Sequence, residues 1–163
     1  MNSLNPLLNE SPLPAFSAIE PAHVLPAVDA VLADYRAGID AIVADPAPRS
    51  FASVLQRQEE LEDRLELTWS PVSHLHAVAD SEALRAVYSQ ALEKITEHAS
   101  ELGQNRELYS AVRAVADAAP FVALPRAART LVEHALRDFR LSGVALEEPG
   151  RSRFREIANA LAR

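Results

Sequence analysis

The sequence has no cysteine and only 4 glycines among 163 residues. Missing thiols exclude disulfides, thiolate nucleophiles and zinc sites built on sulfur, and they fit a reducing compartment. The scarcity of glycine leaves no Gly-x-Gly-x-x-Gly loop, no Gly-Lys-Ser/Thr cradle and no Gly-x-Ser-x-Gly elbow, so nucleotide binding and serine acyl transfer lack the backbone they need. Blocks of one charge are also missing. The 23 acidic and 16 basic residues are interspersed at a net charge of −7, and no basic stripe is present to neutralise phosphates, so no nucleic-acid partner is expected. No run approaches the roughly 18 uninterrupted apolar residues of a membrane span, and Met1–Pro14 has no basic segment followed by an apolar one. No membrane partner is expected, and the chain reads as soluble and cytoplasmic.

What is present is 48% apolar residues at helical spacing, in a length suited to one core. Residues 1–20 carry prolines and asparagines without periodicity and read as an extended arm, with Leu4, Leu7, Leu8 and Phe16 packing on a helical domain spanning 21–163. Val24, Val28, Val31, Leu32, Tyr35, Ile39, Ile42 and Val43 predict a first helix opened by Pro21, with Pro26 bending its start. Asp45-Pro46-Ala47-Pro48 stops it, and Ser50 caps a second helix that Pro71 is expected to break or kink near Trp69. Ser81 caps a third, with Leu84, Val87, Tyr88, Ala91, Leu92, Ile95, Ala99 and Leu102 as its stripe and Gly103 as a left-handed stop. A fourth runs from Asn105 through Leu108, Val112, Val115, Ala116 and Ala119 to Pro120. A fifth runs from Pro125 through Ala128, Leu131, Val132, Ala135, Leu136 and Phe139 to Gly143. Phe154, Ile157, Ala158 and Leu161 form a last stripe with no stop signal before Arg163, as if the chain ended inside a helix. The expected fold is all-α: an antiparallel bundle of five to six helices with an N-terminal arm.

Catalytic chemistry finds no complete set of residues. His-Glu-x-x-His is absent. Glu20 and His23 have the Glu-x-x-His spacing of di-metal bundles, but no second copy accompanies them, and a cap or surface role is expected. His74 and His76 diverge on a helix. His74 is expected to bond backbone at the break near Trp69, with His76 solvated. Glu97-His98, with Glu101 one turn on, and Glu133-His134 read as surface charge. Arg137, Asp138 and Arg140 suit a helix C-terminus and an ion pair to a neighbouring helix, or a docking end. Trp69 reads as core, or as an anchor at a domain contact. No catalytic, cofactor-binding or metal residue is assigned.

The phrases themselves carry more. Asn5-Pro6-Leu7-Leu8, Leu13-Pro14-Ala15-Phe16, Ile19 to Val28, Trp69 to Leu75, Leu84 to Tyr88, Gly103-Gln104-Asn105 with Leu108-Tyr109, and Leu136 to Val144 follow one another along the chain. In that order they resemble the beginning of bacterial members of the thimet oligopeptidase family of zinc metallopeptidases. The resemblance implies a much longer parent, whose later part supplies His-Glu-x-x-His, a further glutamate ligand and zinc. Its partners would be the C-terminal catalytic domain of the same parent and short peptide substrates. This segment would be a helical wall of the substrate channel, excluding large substrates and inactive alone. The family often places Ser, Thr or Asn before the proline opening the fifth helix. Here Leu124 precedes Pro125, which implies a poorer cap. An apolar face cut from its parent would favour a homodimer through Phe154, Ile157 and Leu161. The alternative reading is an autonomous helical interaction module with a groove for a partner helix.

Overall fold

Helical spacing from Pro21 onward becomes six α-helices in the computed structural model, which describes residues 5–9 and 13–161. They are α1 (Pro21–Ala44), α2 (Arg57–Val78), α3 (Glu82–Gly103), α4 (Arg106–Asp117), α5 (Arg126–Leu141) and α6 (Gly150–Leu161). Among the described residues there is no strand, and the fold is all-α. α1 is the centre, because its buried residues are not confined to one narrow stripe. Val24, Ala27, Val28, Val31, Leu32, Tyr35, Ile39 and Ile42 are all buried, which lets α1 pack on α2, α3 and α4 together. α5 is carried by α4, and α6 by α3.

Local sequence explains where the helices begin. Asn105 Oδ1 accepts from the amides of Glu107 and Leu108 at 3.0 Å and 2.9 Å, and Ser81 Oγ accepts from Leu84 N–H at 3.2 Å. Ser50 Oγ accepts from Ser53 N–H at 3.1 Å, opening a π-helical turn (Ala52–Gln56) that runs into α2. α5 starts at Pro125 with no side-chain cap, as Leu124-Pro125 implies.

The arm is not extended throughout. It makes 3₁₀ turns at Pro6–Leu8 and Phe16–Ala18. Asn5 Nδ2 donates to His23 O at 2.8 Å, Thr68 Oγ1 donates to Leu7 O at 3.3 Å, and Leu7 is buried between α1 and α2. Phe16 stays partly exposed, while Leu4 and Arg163 lie outside the described residues.

One expected break is absent, and one expected helix end is made by a different geometry. α2 runs unbroken through Pro71 to Val78. A proline inside a helix costs about 3 kcal/mol, but Pro71 and Val72 are both buried, and burying such a side chain returns about 1.5–3 kcal/mol. The carbonyl that loses its donor belongs to Leu67, an exposed residue that water can serve. Gly103 is helical rather than left-handed, since the glycine with positive φ among the described residues is Gly143. Gly103 is small for a different reason: a Cβ there would stand 2.6 Å from Ser142 Cβ, where the end of α3 meets the end of α5. On the periodic faces, Ala99 and Ala119 are exposed rather than core.

Candidate functional site

The phrases Trp69 to Leu75 and Leu136 to Val144 occupy two joints of the bundle. In the first, Trp69 and His76 lie two turns apart on α2, and each stacks on Tyr88 of α3 at centroid separations of 4.8 Å and 3.9 Å. Offset stacking of this kind adds about 0.5–1.5 kcal/mol per pair beyond area burial. Trp69 is half-buried against the core, so it joins two helices within the bundle. His76 is half-buried in this stack rather than solvated. His74 is exposed and tilts against Phe16 at 5.4 Å, with no helix break whose backbone it could bond.

The second phrase is a helix stop. Gly143 has φ +83°, its N–H donates to Arg140 O, and Val144 N–H donates to Phe139 O, both at 3.1 Å. These are the two bonds of a Schellman motif, and buried Phe139 and Val144 supply the apolar contact that accompanies it. Arg106, at the start of α4, clamps the loop that follows. It donates to Val144 O at 3.3 Å, to Leu146 O at 3.0 Å and to Glu147 Oε1 at 3.0 Å. Sequence reasoning missed Arg106, because nothing local distinguishes it from any other first-turn arginine. Arg137 and Asp138 pair with each other at 2.8 Å on an exposed surface instead of bridging to another helix, since adjacent residues there both face solvent. Arg140, and after it Arg113, hydrogen-bond the half-buried Tyr109 and hold its hydroxyl below the ordinary tyrosine range.

The histidines are dispersed among separate structural jobs. His23 and Glu20 form a capping box at the start of α1, with Glu20 N–H donating to His23 Nδ1 at 3.0 Å. Glu97, Glu133 and His134 are exposed, as expected. His98 is not: it is 4% exposed, with its ring edge-on to Tyr35 at 4.6 Å. A signal was available in the heptad spacing of Leu84, Ala91 and His98, which places all three on the line of α3 facing α1.

These positions do not suit a metal. Among the described residues no three His, Asp or Glu side chains converge, and the glutamate and histidine with ligand-like spacing are bonded to each other's backbone. Zinc therefore does not fit the donor set of the described residues. An apolar cleft of about 290 Å³ is walled by Phe51, Val115, Pro120, Phe121 and Leu124. Arg49 on its rim is already engaged, donating to Ile42 O and Val43 O at 2.7 Å each at the end of α1. Both phrases thus build joints within the bundle. Among the described residues no helix is long and apolar enough to cross a membrane.

Comparison with known proteins agrees with this helical order. The family described as Neurolysin/Thimet oligopeptidase, N-terminal domain, matches residues 28–151. Oligopeptidase A of Salmonella typhimurium is 42% identical over 97% of this chain, and that of Escherichia coli is 40% identical over 97%. A probable cytosolic oligopeptidase A of Arabidopsis thaliana is 31% identical over 98%. The chain spans only 23%, 23% and 22% of those three proteins. From the arm to the Schellman stop it is similar to their N-terminal part, and the chain belongs to the neurolysin/thimet oligopeptidase family through that N-terminal domain.

Proposed function

We propose that this chain is the architectural, non-catalytic N-terminal domain of an oligopeptidase A-like zinc peptidase that works in the cytoplasm on short peptides. In this reading the bundle forms one wall of the substrate channel and limits substrate size by sterics. Zinc and its ligands belong to the catalytic domain of the longer parent, which is also the bundle's partner. The observation that carries the reading is the pairing of 97% coverage of this chain with 23% coverage of its relative. The dispersed histidines support it, because each is engaged in capping or packing or stands apart on the surface. Exposed Val122, Leu141, Ile157 and Leu161 supply apolar area for such a contact. The α6 surface bearing Ile157 and Leu161 would pair two copies when the partner is absent.

Two measurements test this. Purified chain incubated with fluorogenic short peptides should show no chelator-sensitive turnover. Zinc-dependent cleavage by the chain alone would end the proposed division of labour. Deleting the equivalent domain from the Salmonella relative should then erode its preference for short over long substrates. An unchanged preference would remove the bundle from the channel wall.

A further inference from the structure

The seam between α1 and α3 contains a buried imidazole with nothing to bond. Both ring nitrogens of His98 are shielded from solvent and have no hydrogen-bond partner. The ring meets the edge of Tyr35, whose hydroxyl donates outward to Glu62 Oε2 of α2 at 3.0 Å. Exposed ion pairs flank it along the seam. Lys94 Nζ donates to Asp29 Oδ1 at 2.5 Å, and Arg36 Nη2 donates to Glu101 Oε2 at 3.2 Å. A cleft of about 190 Å³ opens beside the ring, and Arg36, Asp40, Glu101 and Asn105 also line it. On the other side of α3, Glu97 and Glu101 face Arg155 and Glu156 of α6.

An imidazole without a partner is tolerable when neutral and costly when charged, because a buried cation needs a bonded anion. Glu101, one turn along α3, is the carboxylate within reach, and it is already committed to Arg36. We propose that His98 is an acid-operated latch of the α1–α3 seam: the neutral ring packs on Tyr35 and closes the seam, and the imidazolium leaves that site and opens it. Breaking the Arg36 pair would release Glu101 to receive the charged ring.

The direction of the pH dependence follows from the surroundings. Burial, then the Arg36 guanidinium, hold His98 below the ordinary histidine range, with Glu101 opposing them. The unfolded chain therefore takes up this proton first. Stability is complete above an ordinary histidine pKa of about 6.5 and is lost as pH falls from there toward the lowered folded value. Within that window one proton changes the folding equilibrium by up to about tenfold per pH unit.

The test uses the whole chain. Proton NMR of the histidine ring resonances should show His98 titrating below the ordinary histidine range, and Glu101→Gln should lower it further. Amide protection factors, which remove the intrinsic slowing of exchange with falling pH, should drop more in the second half of α3 than in α4 between pH 7.5 and 5.5. His98→Phe, which keeps an edge contact with Tyr35, should abolish that difference. His98→Gln is the second variant should the first not fold. His98 titrating within or above the ordinary histidine range, or an exchange difference that persists in either variant, would overturn the latch.

Discussion

At the scale of single residues, stability is concentrated where geometry leaves no substitute. Gly143 sits at φ +83°, where a side chain costs about 1–2 kcal/mol, and its added Cβ would meet Leu146 Cδ1 at 2.7 Å. Gly143→Ala should therefore destabilise the chain by about 2 kcal/mol in urea unfolding, with Gly143→Asn costing less. Tyr35 offers a second test. Burial first, and then the Glu62 carboxylate, push its hydroxyl well above the ordinary tyrosine range. The unfolded state then loses this proton at lower pH than the folded state, so stability should decline as pH rises beyond about 10. Tyr35→Phe should flatten that decline while removing the hydrogen bond to Glu62, a loss of about 1 kcal/mol near neutrality, readable by urea unfolding at pH 7 and pH 11. His98 shows why residue-scale reading fails: an adjacent glutamate makes it look like surface, and only the helix facing it makes it core.

At the scale of elements, the sequence is legible wherever signals are local. Ser50, Ser81 and Asn105 begin helices because their side-chain oxygens reach amides three or fewer residues away, and no distant partner is needed. Asn105→Ala should lower the thermal midpoint by an amount equivalent to about 1 kcal/mol, measured by circular dichroism. Pro71 and Gly103 are the counterexamples. Proline is a stop signal only if the chain gains nothing by continuing, and at Pro71 continuation buries Val72 and aligns Trp69 and His76 against Tyr88. α3 does end at Gly103, but not through a left-handed glycine. At Gly103 the missing side chain instead admits Ser142 from an element 39 positions later, which no local window contains.

At the scale of the whole molecule, a short arm and a long central helix hold the rest together. Leu7 is buried where the arm crosses α1 and α2, so Leu7→Ala should cost about 2–3 kcal/mol, detected by denaturant titration, although it lies far from the bundle's core in sequence. Ile157 and Leu161 behave oppositely. They are 46% and 83% exposed, so serine at both positions should change stability by no more than about 0.5 kcal/mol while reducing self-association in light scattering. By itself the sequence determined the helical class, the start of most helices, the stop at Gly143 and the ordered phrases that lead to the family, because periodicity, capping and turn chemistry act over a few residues. Only the tertiary structure decided that α2 survives Pro71, that Gly103 is a crossing point, that Arg106 clamps the loop after α5, and that His98 is sealed against Tyr35. Those outcomes depend on which side chains meet across helices, and the energy of such a meeting is written in neither partner alone.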